Sequence, residues 1–351
     1  MFKFLLLIFG LLLIILIWTS WENNLSSSTT KLISPFLTKT NYVQFEPKTI
    51  TLEQIFSANH QLPKTADPKK IRTLIATGDV IPARSVNYQA VTRNNFNWVW
   101  EKTGNIIKNA DITLINLESP LITNCPLTQE GMIFCGDKRN IAGLKFAGVD
   151  VANLANNHSG NYGQQGITEA VDLLNQTNIL PAGINGPVYQ NIRGLKFGFL
   201  GYNALEKINE EKVCQDIKEV KNKAQIIIVA FHWGTEYQAQ PDEFQKNLAH
   251  KAIDCGVDLI IGNHPHWIQP VEIYHDKLIT YAHGNFIFDQ MWSEKTKEGV
   301  VGKYTFYDDK LIDVEFLPVK IENYGQPYFL EGQAKLQILD EMKLESLKLM
   351  N

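Results

Sequence analysis

Cysteine is scarce in this chain: four residues in 351, and none in the C-x-x-C spacing of zinc ribbons and fingers. A zinc site built on thiolates is therefore not expected. Charge of one sign is lacking too. With 33 basic and 37 acidic residues the net charge is only -4, which gives no reason to expect a nucleic-acid partner. No internal repeat is visible, so a solenoid or propeller is not expected either. No small-x-small cleavage pattern follows the first apolar run, and no cysteine follows it, so a lipoprotein is not expected.

That apolar run is the first positive signal. Residues 4–18 are unbroken apolar except for Gly10, with Lys3 before them and Glu22 after. The run is close to the lower length limit for a membrane-crossing helix, and Trp18 and Trp21 suit an interface. Residues 1–21 are read as an N-terminal transmembrane signal-anchor, with a cleaved signal peptide as the alternative. Lys3 on the inner side places the body of the protein on the extracytoplasmic side of the cell membrane. Residues 22–70, rich in Ser, Thr, Asn, Lys and Pro, read as a stalk or linker. Four cysteines fit an oxidising compartment and allow three pairings. Cys125 and Cys135 bracket a short loop, so they are the first expected pair, and Cys214 and Cys255 remain.

From residue 71 strands and helices alternate, which implies a largely parallel sheet in an α/β fold. Strands are expected at 72–77, 112–115, 149–154, 195–202, 225–231 and 257–261, with helices at 98–108, 141–147, 165–176, 210–221 and 244–255. Later segments at 271–274, 278–282, 302–307 and 311–320 read as β, and 333–350 as a final helix.

Five strand ends carry polar chemistry: Asp79; Asn116 and Glu118; Asn157 and His158; His232; His264 and His266. The carboxyl ends of strands are where open α/β sheets place their sites. His264 and His266 flank Pro265, and in extended backbone positions i and i+2 point the same way. Read one at a time, each residue has a bland account as a turn, a cap or a surface group. Together they form a set of oxygen and imidazole donors with no thiol, which suits Mn²⁺, Zn²⁺, Fe²⁺ or Mg²⁺. The set is large enough for one or two divalent ions, and two ions sharing a carboxylate are a known device for phosphoryl chemistry.

The segments Ala76-Thr77-Gly78-Asp79-Val80, Asn116-Leu117-Glu118-Ser119-Pro120-Leu121, Ala155-Asn156-Asn157-His158, Phe231-His232-Trp233-Gly234-Thr235-Glu236-Tyr237, Gly262-Asn263-His264-Pro265-His266 and the stretch 284–290 together resemble the CapA family of capsule and poly-γ-glutamate synthesis proteins. The match runs in order over residues 71–320. That family is similar to the calcineurin-like metallophosphoesterases, which implies a metallo-dependent phosphatase-like α/β/β/α sandwich over residues 71–322, followed by a helical tail at 323–351. The resemblance implies that Asp79 ligates a first metal, that Glu118 bridges two, and that Asn157, His232 and His264 hold the second. It gives His266 to the first metal, makes His158 the acid or base, and lets Arg84 hold an anionic group. Two departures stand out: Ile81 lies where the wider phosphoesterases have a histidine ligand, and Asn161 where many members have Asp. The implied role is a hydrolase acting on an anionic envelope polymer or a phosphoester. The alternative is a non-catalytic metal- or polymer-binding part of a capsule assembly complex. The final helix and the stalk could contact membrane synthase subunits as partners, which the sequence itself does not show.

Overall fold

Buried parallel strands read as continuous apolar runs, because both of their faces are covered. Ile226–Trp233 is such a run, buried along its whole length. It lies inside a six-stranded sheet. In the computed structural model, which describes residues 45–206 and 208–349, two sheets of this kind carry the site.

The strands are β1 (Ile71–Val80), β2 (Ile112–Leu117), β3 (Leu121–Ile122), β4 (Gly136–Asp137), β5 (Val151–Asn153), β6 (Leu180–Ala182), β7 (Val188–Ile192), β8 (Leu195–Ala204), β9 (Ile226–Trp233), β10 (Leu259–Asn263), β11 (Val271–Tyr274), β12 (Lys277–Thr280), β13 (Asn285–Ile287), β14 (Glu298–Tyr307), β15 (Lys310–Glu322) and β16 (Gln326–Phe329). The first sheet runs β16-β15-β14-β1-β2-β5-β6, with β13 pairing in parallel with the end of β1. The second runs β11-β12-β10-β9-β8-β7. Strands β1, β2, β5 and β6 are mutually parallel, as are β8, β9, β10 and β12. The antiparallel additions β14 to β16, β7 and β11 close the edges.

The helices are α1 (Leu52–Ile55), α2 (Arg84–Thr92), α3 (Gly104–Ile107), α4 (Ile141–Phe146), α5 (Gly163–Gln176), α6 (Glu210–Lys221), α7 (Glu243–Cys255) and α8 (Gly332–Leu349). Neighbouring strand residues go to different cores, which defines the layers. Leu74, Leu114 and Val151 share one core with Phe197, Ile226, Ile228 and Leu259, so the sheets pack face to face. Ile75, Ile115 and Ala152 turn the other way, onto Trp98, Ile107, Leu144 and Leu174. Ile227, Val229 and Ile260 turn onto Val213, Ile217 and Leu248 of α6 and α7. The order is helix, sheet, sheet, helix: a mixed α/β fold.

Most of the alternation from residue 71 appears where it is expected. Residues 98–108 do not form one helix. Trp98–Trp100 is a 3-10 turn whose two indoles are buried, and only Gly104–Ile107 is helical, because packing of the aromatic pair sets the backbone there. Helix α2 was not foreseen: its N-cap position, Ala83, makes no side-chain cap bond. The expected anchor, residues 1–21, and the stalk up to residue 44 lie outside the described residues. Among the described residues no helix is long and apolar enough to cross a membrane. From residue 45 on, the stalk reading is corrected: Ile50, Leu52 and Ile55 are buried in the inter-sheet core, and Thr51 and Gln54 form a capping box on α1. The last helix is docked rather than trailing. Ile338, Met342 and Ser346 are buried, and Ser346 Oγ accepts the Val271 N–H at 3.0 Å. Both disulfides are intramolecular: Cys125–Cys135 closes the expected loop, and Cys214–Cys255 ties α6 to α7.

Candidate metal centre

Register brings the polar residues together. In the first sheet Asp79 lies beside Asn116, and Asn116 beside Asn153; in the second, Asn203 lies beside His232, and His232 beside Asn263. Both rows sit at strand carboxyl ends. Gly78 permits the close approach of β13: a Cβ there would lie 2.1 Å from the Gly284 carbonyl oxygen. Beyond β10 the chain does not stay extended. His264 has φ 99° and His266 φ 58°, so their imidazoles converge through a left-handed turn and not through the i, i+2 alternation expected of a strand. Each such residue costs about 1–3 kcal/mol, offset by the surrounding structure.

The imidazole of His232 is the hub. Its Nε2 lies 2.9 Å from Asn157 Oδ1, 3.1 Å from His264 Nδ1 and 3.5 Å from Glu118 Oε1. His158 Nε2 lies 4.0 Å from the same Glu118 oxygen. Asp79 accepts from Asn116 Nδ2 at 2.8 Å, His266 Nδ1 at 3.1 Å and the His264 backbone N–H at 3.4 Å. Three overlapping groups have ligand atoms within 4.8 Å of one another: Glu118, His232 and His264; Asp79, Glu118 and His266; Glu236, His264 and His266.

These residues fit a divalent cation. Glu118 is fully buried, and its Oε1 has no hydrogen-bond partner among the described residues. A buried carboxylate oxygen without a partner is costly and rare. Around His232 Nε2 stand Asn157 Oδ1, His264 Nδ1 and Glu118 Oε1, all able to offer lone pairs, and a single N–H cannot satisfy three acceptors. A cation accepts from all of them at once.

The electrostatics match. Burial pushes the Asp79 carboxyl up, but the His266 hydrogen bond and charge outweigh it and hold the group at about 2. Glu118 is raised well above the usual carboxylate range by burial and then by Asp79. His232 is lowered well below the usual imidazole value by burial and then by His264, and His264 is lowered to about 4 by burial and then by His266. Both imidazoles are thus neutral, the form that ligates metal.

A second layer of polar groups aims the first. Asn161 Oδ1 accepts the Phe134 backbone N–H at 2.7 Å, which identifies it as the oxygen, so at 2.9 Å it takes the Nδ1–H of His158. His158 Nε2 is left with its lone pair facing the centre. Phe134 stacks on the His158 ring with centroids 4.0 Å apart. Asn285 donates to the Thr296 carbonyl at 2.9 Å, and its Oδ1 accepts His266 Nδ1–H at 2.9 Å, leaving Nε2 of His266 uncommitted.

The structure brings together Asp79, Glu118, Asn157, His158, His232, His264 and His266. Arg84 differs from expectation. Its guanidinium pairs with Asp289, which also accepts the Ser85 N–H at 3.0 Å, and it lies over the rings of Phe134 and Phe288. Its charge is already balanced inside the protein. Asp289 therefore acts on Arg84, and segment 284–290 is strand β13 followed by this acid. Ile81 is fully buried against Ala83, Phe134 and Phe288, so its position offers apolar packing where a ligand would stand. Two residues were missed: Glu236 and Tyr237, which follow the turn at Gly234 (φ 82°). Both lie in the segment from Phe231 to Tyr237 that carries the resemblance, which gave them no role.

Comparison with known proteins gives one family and several relatives. The family described as bacterial capsule synthesis protein PGA_cap matches residues 73–290. The capsule biosynthesis protein CapA of Bacillus anthracis is 27% identical over 284 residues, covering 73% of this chain and 68% of its own. The PGA biosynthesis protein CapA of Bacillus subtilis is 27% identical over 294 residues, covering 77% of each. Among solved structures, a hypothetical protein from Thermus thermophilus aligns at 13% identity with a TM-score of 0.48, over 71% of this chain and 100% of that one.

Proposed function

The chain belongs to the PGA_cap family of bacterial capsule synthesis proteins, and we propose that it serves the synthesis or export of a capsule-like envelope polymer through a divalent-metal hydrolase centre of the metallophosphoesterase kind. The names of its relatives point to poly-γ-glutamate-like or capsular material. The observation that carries the reading is the partnerless Oε1 of Glu118, buried among neutral imidazoles.

In this reading Glu118, Asn157, His232 and His264 hold one ion, and Asp79, Glu118 and His266 hold another. Bound there, such an ion would lower the pKa of water and neutralise charge that develops on an ester or acyl oxygen. His158 handles the proton. Burial lowers its pKa, so at neutral pH its Nε2 carries a lone pair and takes a proton, while Asn161 and Phe134 hold the ring still. Arg84 braces Phe134 and through it His158, with Asp289 as its counter-charge. The apolar run near the N-terminus anchors the body outside the cytoplasmic membrane, beside the polymer and membrane synthase partners.

A second reading keeps the ion but removes the turnover. Ile81 favours it, since it leaves the Asp79 side one ligand short and the site could then bind polymer without cleaving it. The two separate by experiment. Full-length protein is assayed for bound metal and for metal-dependent cleavage of phosphoesters, γ-glutamyl chains and capsular glycans, beside His264→Ala. Metal with cleavage, both lost in the variant, supports the first reading. Metal without cleavage supports the second. No bound divalent metal ends both.

A further inference from the structure

Two of the three ligand groups are wholly buried: Glu118, His232 and His264, and Asp79, Glu118 and His266. The third, Glu236, His264 and His266, has a member that reaches solvent. Glu236 leaves the end of β9 after the Gly234 turn, and Tyr237 beside it has φ 60°. The Tyr237 N–H donates to the Pro265 carbonyl at 2.8 Å, which pins this turn against the loop that carries both histidines. The Tyr237 hydroxyl is held by Gln290 at 2.9 Å, and its ring meets the exposed Trp292 edge-on at 4.9 Å. Glu236 is therefore held in place by a hydrogen-bonded turn and not left to wander on the surface. Ile81, two residues after Asp79, offers only apolar packing.

We propose that Glu236 is a further ligand of the centre, closing with His264 and His266 the ion position that faces solvent, that these two imidazoles serve this position in place of the separate buried ions assigned to them above, and that this position is the one a substrate reaches. Two imidazoles and one carboxylate with an open place form a donor set for Zn²⁺, Mn²⁺ or Fe²⁺ of the catalytic, not the structural, type. Glu236 brings a carboxylate to the solvent side of the two histidines. The open place lies on the side of Tyr237 and Trp292, so the incoming polymer or ester passes these rings. The proposal rests on the metal reading of the same centre.

The test separates the two. Chelator-stripped full-length wild type is titrated with Zn²⁺ alone by calorimetry, beside Glu236→Gln and the surface control Glu243→Gln. Removing groups that only support a ligand already weakens metals about 10–100-fold, so loss of a ligand should weaken the weakest Zn²⁺ step at least about tenfold. Melting of the metal-free variant should stay at the wild-type value, because a merely structural role would move melting and not affinity. A folded Glu236→Gln with wild-type stoichiometry and affinities overturns the proposal and leaves the metal reading standing. A wild type that binds no Zn²⁺ overturns the metal reading itself. Should Glu236→Gln fail to fold, Glu236→Asp, which keeps the charge but shortens the reach, must still weaken that step; unchanged affinity there overturns the proposal equally.

Discussion

Replacing Glu118 by Gln should stabilise the metal-free protein and destabilise the metal-loaded one. The carboxyl of Glu118 is fully buried, near an Asp79 that stays ionised, and one of its oxygens has no partner. Such an unsatisfied buried group costs about 1–3 kcal/mol, and more when charged. Because folding raises the Glu118 pKa, the metal-free protein must take up a proton to bury this carboxyl; an amide of the same shape needs none and keeps the Asn116 neighbour. In chelator, then, Glu118→Gln should be about 1–3 kcal/mol more stable than wild type. For a domain of this size that is roughly 2–6 °C in melting temperature, at about 2 °C per kcal/mol. With a divalent ion at a hundred times its dissociation constant, wild type gains about 2.7 kcal/mol. The variant, missing the carboxylate common to both buried ligand groups, should gain little of it. The two melting temperatures cross between chelator and metal. Calorimetric scans of both proteins, in EDTA and in excess Mn²⁺, decide the matter. A variant that melts lower than wild type in EDTA, yet shifts as far as wild type on adding Mn²⁺, would refute the reasoning: Glu118 would then be a structural acid.

Three further outcomes follow from the same geometry. His158→Gln should cut metal-dependent turnover by about 10²–10⁴, the range of general acid–base catalysis, with metal content unchanged on elemental analysis. His283 is buried between the Thr77 carbonyl and the Tyr304 hydroxyl, and burial lowers its pKa to about 4 from 6.5. The folded state therefore binds fewer protons than the unfolded one. Stability is full above pH 6.5 and falls as pH drops toward 4, by up to about 3 kcal/mol, a slope that denaturant titrations of His283→Gln should flatten. The Cys125–Cys135 bond spans 10 residues, so the double Ala variant should lose about 2.5 kcal/mol by loop closure, read as a lower denaturation midpoint. It should also lose turnover, because that loop carries the Phe134 ring that stacks on His158.

Much of the architecture was legible because buried parallel strands leave a coarse signal. The run Ile226 to Phe231 leads directly into His232 and the run Val257 to Ile261 stops two residues before His264, and counting strand ends found seven of the side chains that meet. Sequence alone misread what depends on long-range packing. The segment around Ile50 to Ile55 looked like stalk because its apolar residues are few; they matter because two sheets close over them. Arg84 looked like an anion clamp because its partner, Asp289, lies two hundred residues away in the chain and beside it only once β13 pairs with β1. Glu236 lies in a quoted motif yet received no role for the same reason: only the folded chain shows that an acid four residues past His232 meets a histidine pair on another loop.

A subtler signal lies in the backbone. Local rules predict an extended His264-Pro265-His266, and the chain breaks them. His264, His266, Tyr237 and Arg84 all take positive φ, a region that residues with side chains avoid, and all four stand around the centre or its brace. A chain selected for stability alone would place glycine or asparagine at such turns, as it does at Gly256, which closes the C-terminus of α7 at φ 119°. Keeping imidazoles there means that the side chain is worth more than the strain. Positive φ also occurs with side chains at hairpin turns away from the centre, at Arg193, His275, Asp308 and Tyr324, but after β10 it falls on two imidazoles that meet other donors. On this argument His264→Gly should melt no lower than wild type in chelator, while losing the metal-induced rise in melting temperature expected of the proposed centre.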